Sequence, residues 1–461
     1  QGIGISAAVL YAQLTTGKPA IITSKIGKGR PAHKIGLRID TKSNAPDVTS
    51  DEIVPWDKEH GTRIELELQA AYRGGRTGVD SYLEQTVVAN PHLGLIFDPP
   101  KGEPTVYPRA SEELPREAKE IKPHPHGVEL GMLQMMLSDA PDETIKHVLT
   151  DRFSRVSAAV ADEICVKAAV APKMRAGDVH GDELDRLHKA LGEVKVMAPS
   201  ADCVVPIGED LLKTGLRRRY PKAEFYASST RPPSVYRGNP FVVEVGLAYG
   251  GDMPTDESAD VMRFANRVPL QYQPKACAIS ESVYQTNWKA YEVSQPKGSL
   301  PVGPLAVVVH LASVWVPFTS EAKEAVAHYD DLMRELRLAV QECGRKLATY
   351  LRAQHKAQSE QKRLGIFQRY IPEVAEALSI ILERDKDEIA RQFQAALPNF
   401  VRLGQTTEGA EAAAEEAPPA PSMLPPADSA APPSMGEPPA GFDNDVSSSE
   451  VPAKKPGKNK N

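Results

Sequence analysis

The sequence predicts an α+β protein of several domains, from three features of its patterning. Strand-like stretches fill residues 1 to about 120 and again 200 to about 320. Short helical segments occupy 122–199 between them, and a long, highly regular amphipathic helix follows the second strand-rich region. A chain of 461 residues can hold two or three cores, and 41% hydrophobic with 25% charged content is ordinary for a globular protein.

The chain opens Gln1-Gly2-Ile3-Gly4-Ile5-Ser6, a glycine turn leading into a small-residue helix pattern from Ser6 to Leu14. Strands are predicted over Ala20 to Ile26, Lys34 to Asp40 and Arg63 to Gln69. In the last of these, Ile64, Leu66 and Leu68 alternate with Glu65 and Glu67, as on a half-solvated antiparallel sheet. Val79 to Ala89 reads as a helix and Leu93 to Phe97 as a strand. In the helical region, Pro141-Asp142-Glu143 starts a helix that carries Ile145, Val148 and Leu149. Ser154 or Ser157 starts the next, with Val160, Ile164 and Val166, and a third runs from Asp182 to Leu191.

Strands return at Phe241 to Ala248, Val261 to Ala265 and Ala306 to Val316. Then Val326, Tyr329, Met333, Leu336, Val340, Cys343, Leu347 and Tyr350 step alternately by three and four, which predicts a long helix entered at Thr319 or Ser320. The chain turns polar after Leu351, and an apolar helix pattern resumes from Ile371 to Leu382. Beyond about 405, eleven prolines and a single aromatic, Phe442, cannot build a core. A disordered tail with a basic end is expected there.

Glycines let a backbone approach a ligand closely, and the first amides of a helix lack internal partners, so Gln1 to Ser6 can cradle phosphate. The pattern GxxxxGK[ST] is absent, which argues against a P-loop ATPase. The four cysteines, Cys165, Cys203, Cys277 and Cys343, are widely spaced, and reduced thiols are expected. No apolar run approaches membrane-spanning length and no leader opens the chain, so a cytoplasmic location is expected. His124 with His126, and His180 with Asp182 and His188, form no convincing four-ligand metal set; histidines of loops and helix surfaces are the better reading. Lys213, Arg217, Arg218, Arg219 and Lys222 form a basic cluster that suits DNA phosphates, a subunit contact or a solvated face, despite a net charge of −6.

The segment GIGISAAVLYAQLTTGKP at 2–19 resembles the end of the ATP lid and the following helix of the topoisomerase VI B-subunit family. That family belongs to the gyrase, Hsp90, histidine kinase and MutL ATPase superfamily. The likeness continues in order through HGT at 60–62, YPR at 107–109, KPHPHGVE at 122–129, PSADCVVPIGEDLL at 199–212 and RPPSVYRGNPFVVEVGLAYGG at 231–251. RFANRVPL at 263–270, NWKAY at 287–291 and YIPEV at 370–374 extend it, so it covers nearly all of residues 1–400.

The resemblance implies the C-terminal part of a Bergerat-type ATPase sandwich at 1–121, a helix-two-turn-helix domain at 122–199 and a transducer domain at 200–400, ahead of the tail at 401–461. It implies that Gln1, Gly2, Ile3, Gly4, Ile5 and Ser6 contact ATP through backbone amides, and that Lys289 reaches the γ-phosphate. It also implies an A2B2 assembly with an A subunit, self-dimerisation through the ATP domain, and double-stranded DNA as substrate. The family's water-activating glutamate and its Mg²⁺-holding asparagine precede the lid, so an N-terminal truncation is expected, and with it a chain that does not hydrolyse ATP alone. The competing reading is a non-hydrolysing DNA-bridging protein with a degenerate nucleotide domain. A MutL-type protein is disfavoured by the helical insert.

Overall fold

The computed structural model describes residues 3–396 apart from 44, 73 and 76. The predicted tail therefore lies outside the described residues, as do Gln1 and Gly2. The chain divides into two compact units, Gln1–Ser359 and Glu360–Asn461.

The first unit begins with helix α1 (Ile3–Thr16) and four antiparallel strands, β1 (Ala20–Lys25), β2 (Ala32–Asp40), β3 (Ala45–Val54) and β4 (Gly61–Glu65), in the order β3-β2-β1-β4. Ile22 faces Ile35 on one side and Ile64 on the other, so branched residues meet across both ladders. β3 was not anticipated, because Asp47, Thr49, Ser50, Asp51 and Glu52 give it no apolar alternation; apart from its half-buried end residues it is exposed throughout. A bulge follows Gly36, where a side chain would stand 2.7 Å from both Ser50 Oγ and Thr49 Oγ1. Helix α2 (Val79–Ala89) and the small hairpin of β5 (Leu95–Phe97) and β6 (Thr105–Tyr107) come next.

Four helices make up the insert: α3 (Leu130–Ser138), α4 (Ile145–Arg152), α5 (Ala158–Ala168) and α6 (Asp182–Glu193). They enclose their own core around Leu133, Ile145, Leu149, Ile164, Leu187 and Leu191. Ser157 is the N-cap of α5, its hydroxyl accepting from the Val160 amide, as one of the two predicted starts requires. The α4 cap is Thr144 rather than the Pro141 segment, and Val166 is 78% exposed instead of facing the core.

Helix α7 (Glu209–Arg219) leads into a six-stranded sheet built from β7 (Phe225–Thr230), β8 (Ser234–Tyr236), β9 (Asn239–Tyr249), β10 (Asp260–Ala265), β11 (Val268–Pro269) and β12 (Leu305–Ser313). Its order is β11-β10-β12-β9-β7, with β8 also on β9; β10 and β12 are parallel, the other pairs antiparallel. Every residue of β12 is buried because the sheet is covered on both faces, hence an apolar run that only His310 breaks between Leu305 and Leu311. On one face lie α8 (Ala278–Gln285) and helix α9 (Asp330–Leu382). On the other, Val88 and Ala89 of α2 and Leu212 and Leu216 of α7 pack against Phe264 and Val308. The α2–α7 crossing is close: a Cβ on Gly215 would lie 2.1 Å from the Val88 carbonyl oxygen.

The long helix starts at Asp330, eleven residues after Thr319, with Asp330 and Asp331 in its first turn. Residues before it are taken by a tight loop, in which Thr319 N–H donates to Ala325 O, Ala327 N–H to Pro317 O, and Lys323 holds φ +55°. Val326 is fully buried as the periodicity requires, but from this loop. The seam of Met333, Leu336, Val340, Cys343 and Leu347 packs on the sheet. The polar stretch after Leu351 stays helical, and Pro372 lies inside the helix.

In the second unit Ile371, Ala375 and Ile389 are buried, and Lys386 Nζ reaches Glu376 Oε2 at 2.7 Å, tying the end of α9 to a helix over 386–396. Among the described residues no helix is long and apolar enough to cross a membrane.

Candidate functional site

Of the residues predicted to touch phosphate, Ile3 to Ser6 form the first turn of α1, while Gln1 and Gly2 fall outside the described residues. Gly4, Ile5 and Ser6 are exposed, and a Cβ placed on Gly4 would meet no atom within 4 Å. The first turn of this fourteen-residue helix is thus exposed from Gly4 to Ser6, and the first amides of a helix lack intrahelical partners, so an anionic group can bind there.

Lys289 is exposed on a 3₁₀ turn, Trp288–Tyr291, whose neighbouring side chains are fixed. Trp288 is fully buried; its indole Nε1–H donates to Val283 O at 2.8 Å and its backbone N–H to Gln295 Oε1 at 3.0 Å. Tyr291 lies against α9 at Gly344, where a Cβ would come within 2.6 Å of the ring. The lysine therefore projects from a turn with one neighbour in the core and the other on the long helix. A mobile cation on a rigid support can report the presence of a terminal phosphate.

The basic cluster is largely used within the chain. Lys213 pairs with Asp210 at 3.2 Å, Arg219 with Glu84 at 2.8 Å and Lys222 with Asp252 at 2.5 Å. Arg217 lies over the Tyr226 ring, and Arg218 lies over Tyr107 while donating to Leu93 O. Arg217, Arg218 and Arg219 also close the last turn of α7, where positive charge is favoured.

The histidines are fasteners. His124, buried, has its Nε2 3.0 Å from Met197 O and accepts the His126 amide at Nδ1; His126 Nε2 lies 2.8 Å from Val194 O, and His188 Nε2 2.9 Å from Val128 O. Ring nitrogens facing carbonyl oxygens must donate, so these rings tie the entry of the helical insert to its exit. His126 and His180 are exposed, His188 is half-buried, and Asp182 opens α6. Among the described residues no group of three or more His, Cys, Asp or Glu could hold a metal ion.

Sequence reasoning missed a charged centre inside the sheet. Glu244 of β9 and His310 of β12 are register partners, both fully buried, with Nδ1 and Oε2 2.8 Å apart. Glu244 also accepts from the Ile207 and Gly208 amides, each at 2.7 Å, and from Thr230 Oγ1 at 2.9 Å. The Arg267 backbone N–H donates to His310 Nε2 at 3.0 Å, which leaves the proton on Nδ1 to bond Glu244. Burial pushes the Glu244 carboxyl up, but the hydrogen bond from His310 and the two amides outweigh it and hold it below the usual carboxylate range. The available signal was His310, the one break in the apolar run from Leu305 to Leu311, together with Glu244 inside FVVEVGLAY.

Residues 199–363 match the family model described as the topoisomerase VI B subunit, transducer. The B subunit of the type 2 DNA topoisomerase 6 of Methanococcoides burtonii is 43% identical over 90% of this chain and 67% of its own length. Its counterpart from Methanosarcina barkeri is 44% identical over 84% of this chain and 63% of that protein, and the one from Saccharolobus islandicus 32% identical over 85% and 74%. The chain thus spans roughly two thirds of the length of these relatives.

Proposed function

Because the chain belongs to the family of type 2 DNA topoisomerase 6 B subunits, we propose that it forms the ATP-operated gate of a type IIB DNA topoisomerase, which relaxes supercoils and separates linked duplexes together with an A subunit. Identity of 43% over nine tenths of the chain is the observation that carries this reading. Residues 122–199 are the helix-two-turn-helix domain of that architecture, and 1–121 the C-terminal part of its Bergerat-type ATP domain.

Gln1 to Ser6 offer backbone amides to the phosphates of ATP, with Gly4 to Ser6 exposed in the first turn of α1. Mg²⁺, when bound with the nucleotide, supplies charge neutralisation; no described residue of this chain is assigned to hold it. Lys289 pairs with the γ-phosphate and loses that partner when the phosphate leaves. Its turn meets α9 through Tyr291 at Gly344, so movement of the lysine is passed to the long helix and on to the A subunit. Two copies of the chain close over a captured duplex when ATP is bound, in an A2B2 assembly that acts in the cytoplasm.

The test uses the protein extended to its relatives' length, assembled with its A subunit. Lys289→Ala lowers ATP-driven strand passage at least tenfold with Tm unchanged; passage at the wild-type rate removes the lysine from this role. The 461-residue polypeptide alone is expected to show no ATP turnover, and turnover by it, purified free of other ATPases, contradicts that expectation.

A further inference from the structure

Arg267 joins the helix before the insert to the sheet after it. It sits in the β10–β11 turn, where Asn266 and Arg267 both hold positive φ, +47° and +66°. That turn is itself anchored: Asn266 Nδ2 donates to Ser313 O at 2.8 Å, and the Ser313 amide donates to Asn266 Oδ1 at 2.9 Å. From this fixed point Arg267 Nη1 donates to Ala89 O at 3.3 Å, at the end of α2, and Nη2 donates to Pro206 O at 2.9 Å, just ahead of α7. Its carbonyl accepts from Asn90 Nδ2 at 3.3 Å, and its amide fills His310 Nε2 at 3.0 Å.

One connected hydrogen-bonded path therefore runs from the C-terminus of α2 through Arg267, His310 and Glu244 to the amides that open α7. The last carbonyls of a helix lack internal partners and favour a cation, and a planar guanidinium can serve two carbonyls at once where an ammonium serves them poorly. Arg267 forms no ion pair with a described carboxylate, so its Nη groups are committed to the main chain. The imidazole has a single arrangement, because Arg267 N–H needs Nε2 as acceptor while Glu244 needs Nδ1–H as donor.

We propose that Arg267 is a positioning residue that locks α2 onto the six-stranded sheet, so that α2 and the sheet move as one body. As a step in an ATP-driven cycle this rests on the function proposed above; as a property of the fold it does not. The lock is tested by hydrogen exchange on the 461-residue chain without nucleotide. Arg267→Met keeps the backbone N–H to His310 and removes both carbonyl bonds. It is expected to speed exchange of the α2 amides at least tenfold while β9 and β12 stay within twofold, and Arg267→Lys should recover part of the protection. Unchanged exchange in α2, or equal acceleration in α2, β9 and β12, overturns the proposal.

In the extended protein with its A subunit, Arg267→Met should leave KM and kcat for ATP within twofold and reduce strand passage per ATP at least fivefold. A loss confined to ATP binding or turnover overturns the coupling role. If the wild-type assembly shows no ATP-driven passage, the functional reading fails and the exchange result still decides the lock.

Discussion

Glu244 and His310 face each other across the β9–β12 ladder at 2.8 Å, both without exposure, each in a strand that is otherwise almost wholly apolar. A buried carboxylate survives only if its oxygens are satisfied, and this one accepts four hydrogen bonds, from His310, Ile207, Gly208 and Thr230. The pair therefore fixes where β9, β12 and the start of α7 meet.

Replacing Glu244 with Gln keeps the shape, removes the charge and turns one acceptor into a donor facing amides. Breaking a buried pair costs about 3 kcal/mol, so a large fall in Tm is expected. The carboxyl lies below its ordinary value in the folded chain, so its stabilisation is complete above about pH 4.3 and is lost as pH falls through the lower folded value. Melts across that window should show the difference between wild type and Glu244→Gln shrinking toward acid. A constant difference contradicts a charged Glu244.

His124 gives a pH effect in a higher window. Burial lowers its pKa most; the bond to Met197 pulls the other way and His126 adds to the lowering. A base with a depressed folded pKa is bound in its neutral form, so its contribution is whole above about pH 6.5 and falls as pH drops through the folded value. Fluorescence or calorimetric melts from about pH 8 to about pH 5 should show that decline, and His124→Asn should flatten it. An equal slope in both proteins removes His124 as its source.

Much of the fold was legible because it rests on period. The strands around Ile22, Ile35 and Ile64, the buried runs of β9 and β12 and the seam from Met333 to Leu347 all declare themselves through apolar spacing. β3 did not, since a strand of Asp, Thr, Ser and Glu with both faces wet has no period to read. The entry of α9 was displaced because Val326 is buried from a loop, and a burial pattern does not distinguish a loop that folds back from one more helical turn. Motif order marked Lys289, whereas Arg267 and Glu244 take their roles from contacts spanning up to 178 residues, which local spacing cannot express.

The α7 basic cluster separates two readings by salt dependence. Arg219 pairs with Glu84 at 2.8 Å on a partly exposed surface, a contact worth at most about 1 kcal/mol. Arg219→Ala should lower stability by no more than that and leave the dependence of DNA affinity on salt unchanged. A side chain that binds a DNA phosphate lowers the slope of log K against log salt by about 1 when removed. A drop of that size for Arg219→Ala would return this surface to the DNA interface.

The contact between Tyr291 and Gly344 makes the most direct demand on the Lys289 turn. Glycine inside a long helix costs about 1 kcal/mol relative to alanine, so on propensity alone Gly344→Ala should stabilise α9. The added methyl, however, would stand 2.6 Å from the Tyr291 ring, which meets Trp288 edge-on at 6.2 Å and cannot retreat without moving the turn. Overpacking of this kind costs about 1–3 kcal/mol, so the expected net effect is a loss of stability, opposite in sign to the helix preference. The double variant Gly344→Ala with Tyr291→Ala removes the clash and should regain stability relative to Tyr291→Ala alone. Thermal melts of the four proteins close the cycle. Additive changes, with Gly344→Ala stabilising in both backgrounds, would mean that α9 and the Lys289 turn are not in contact and that movement of one is not passed to the other.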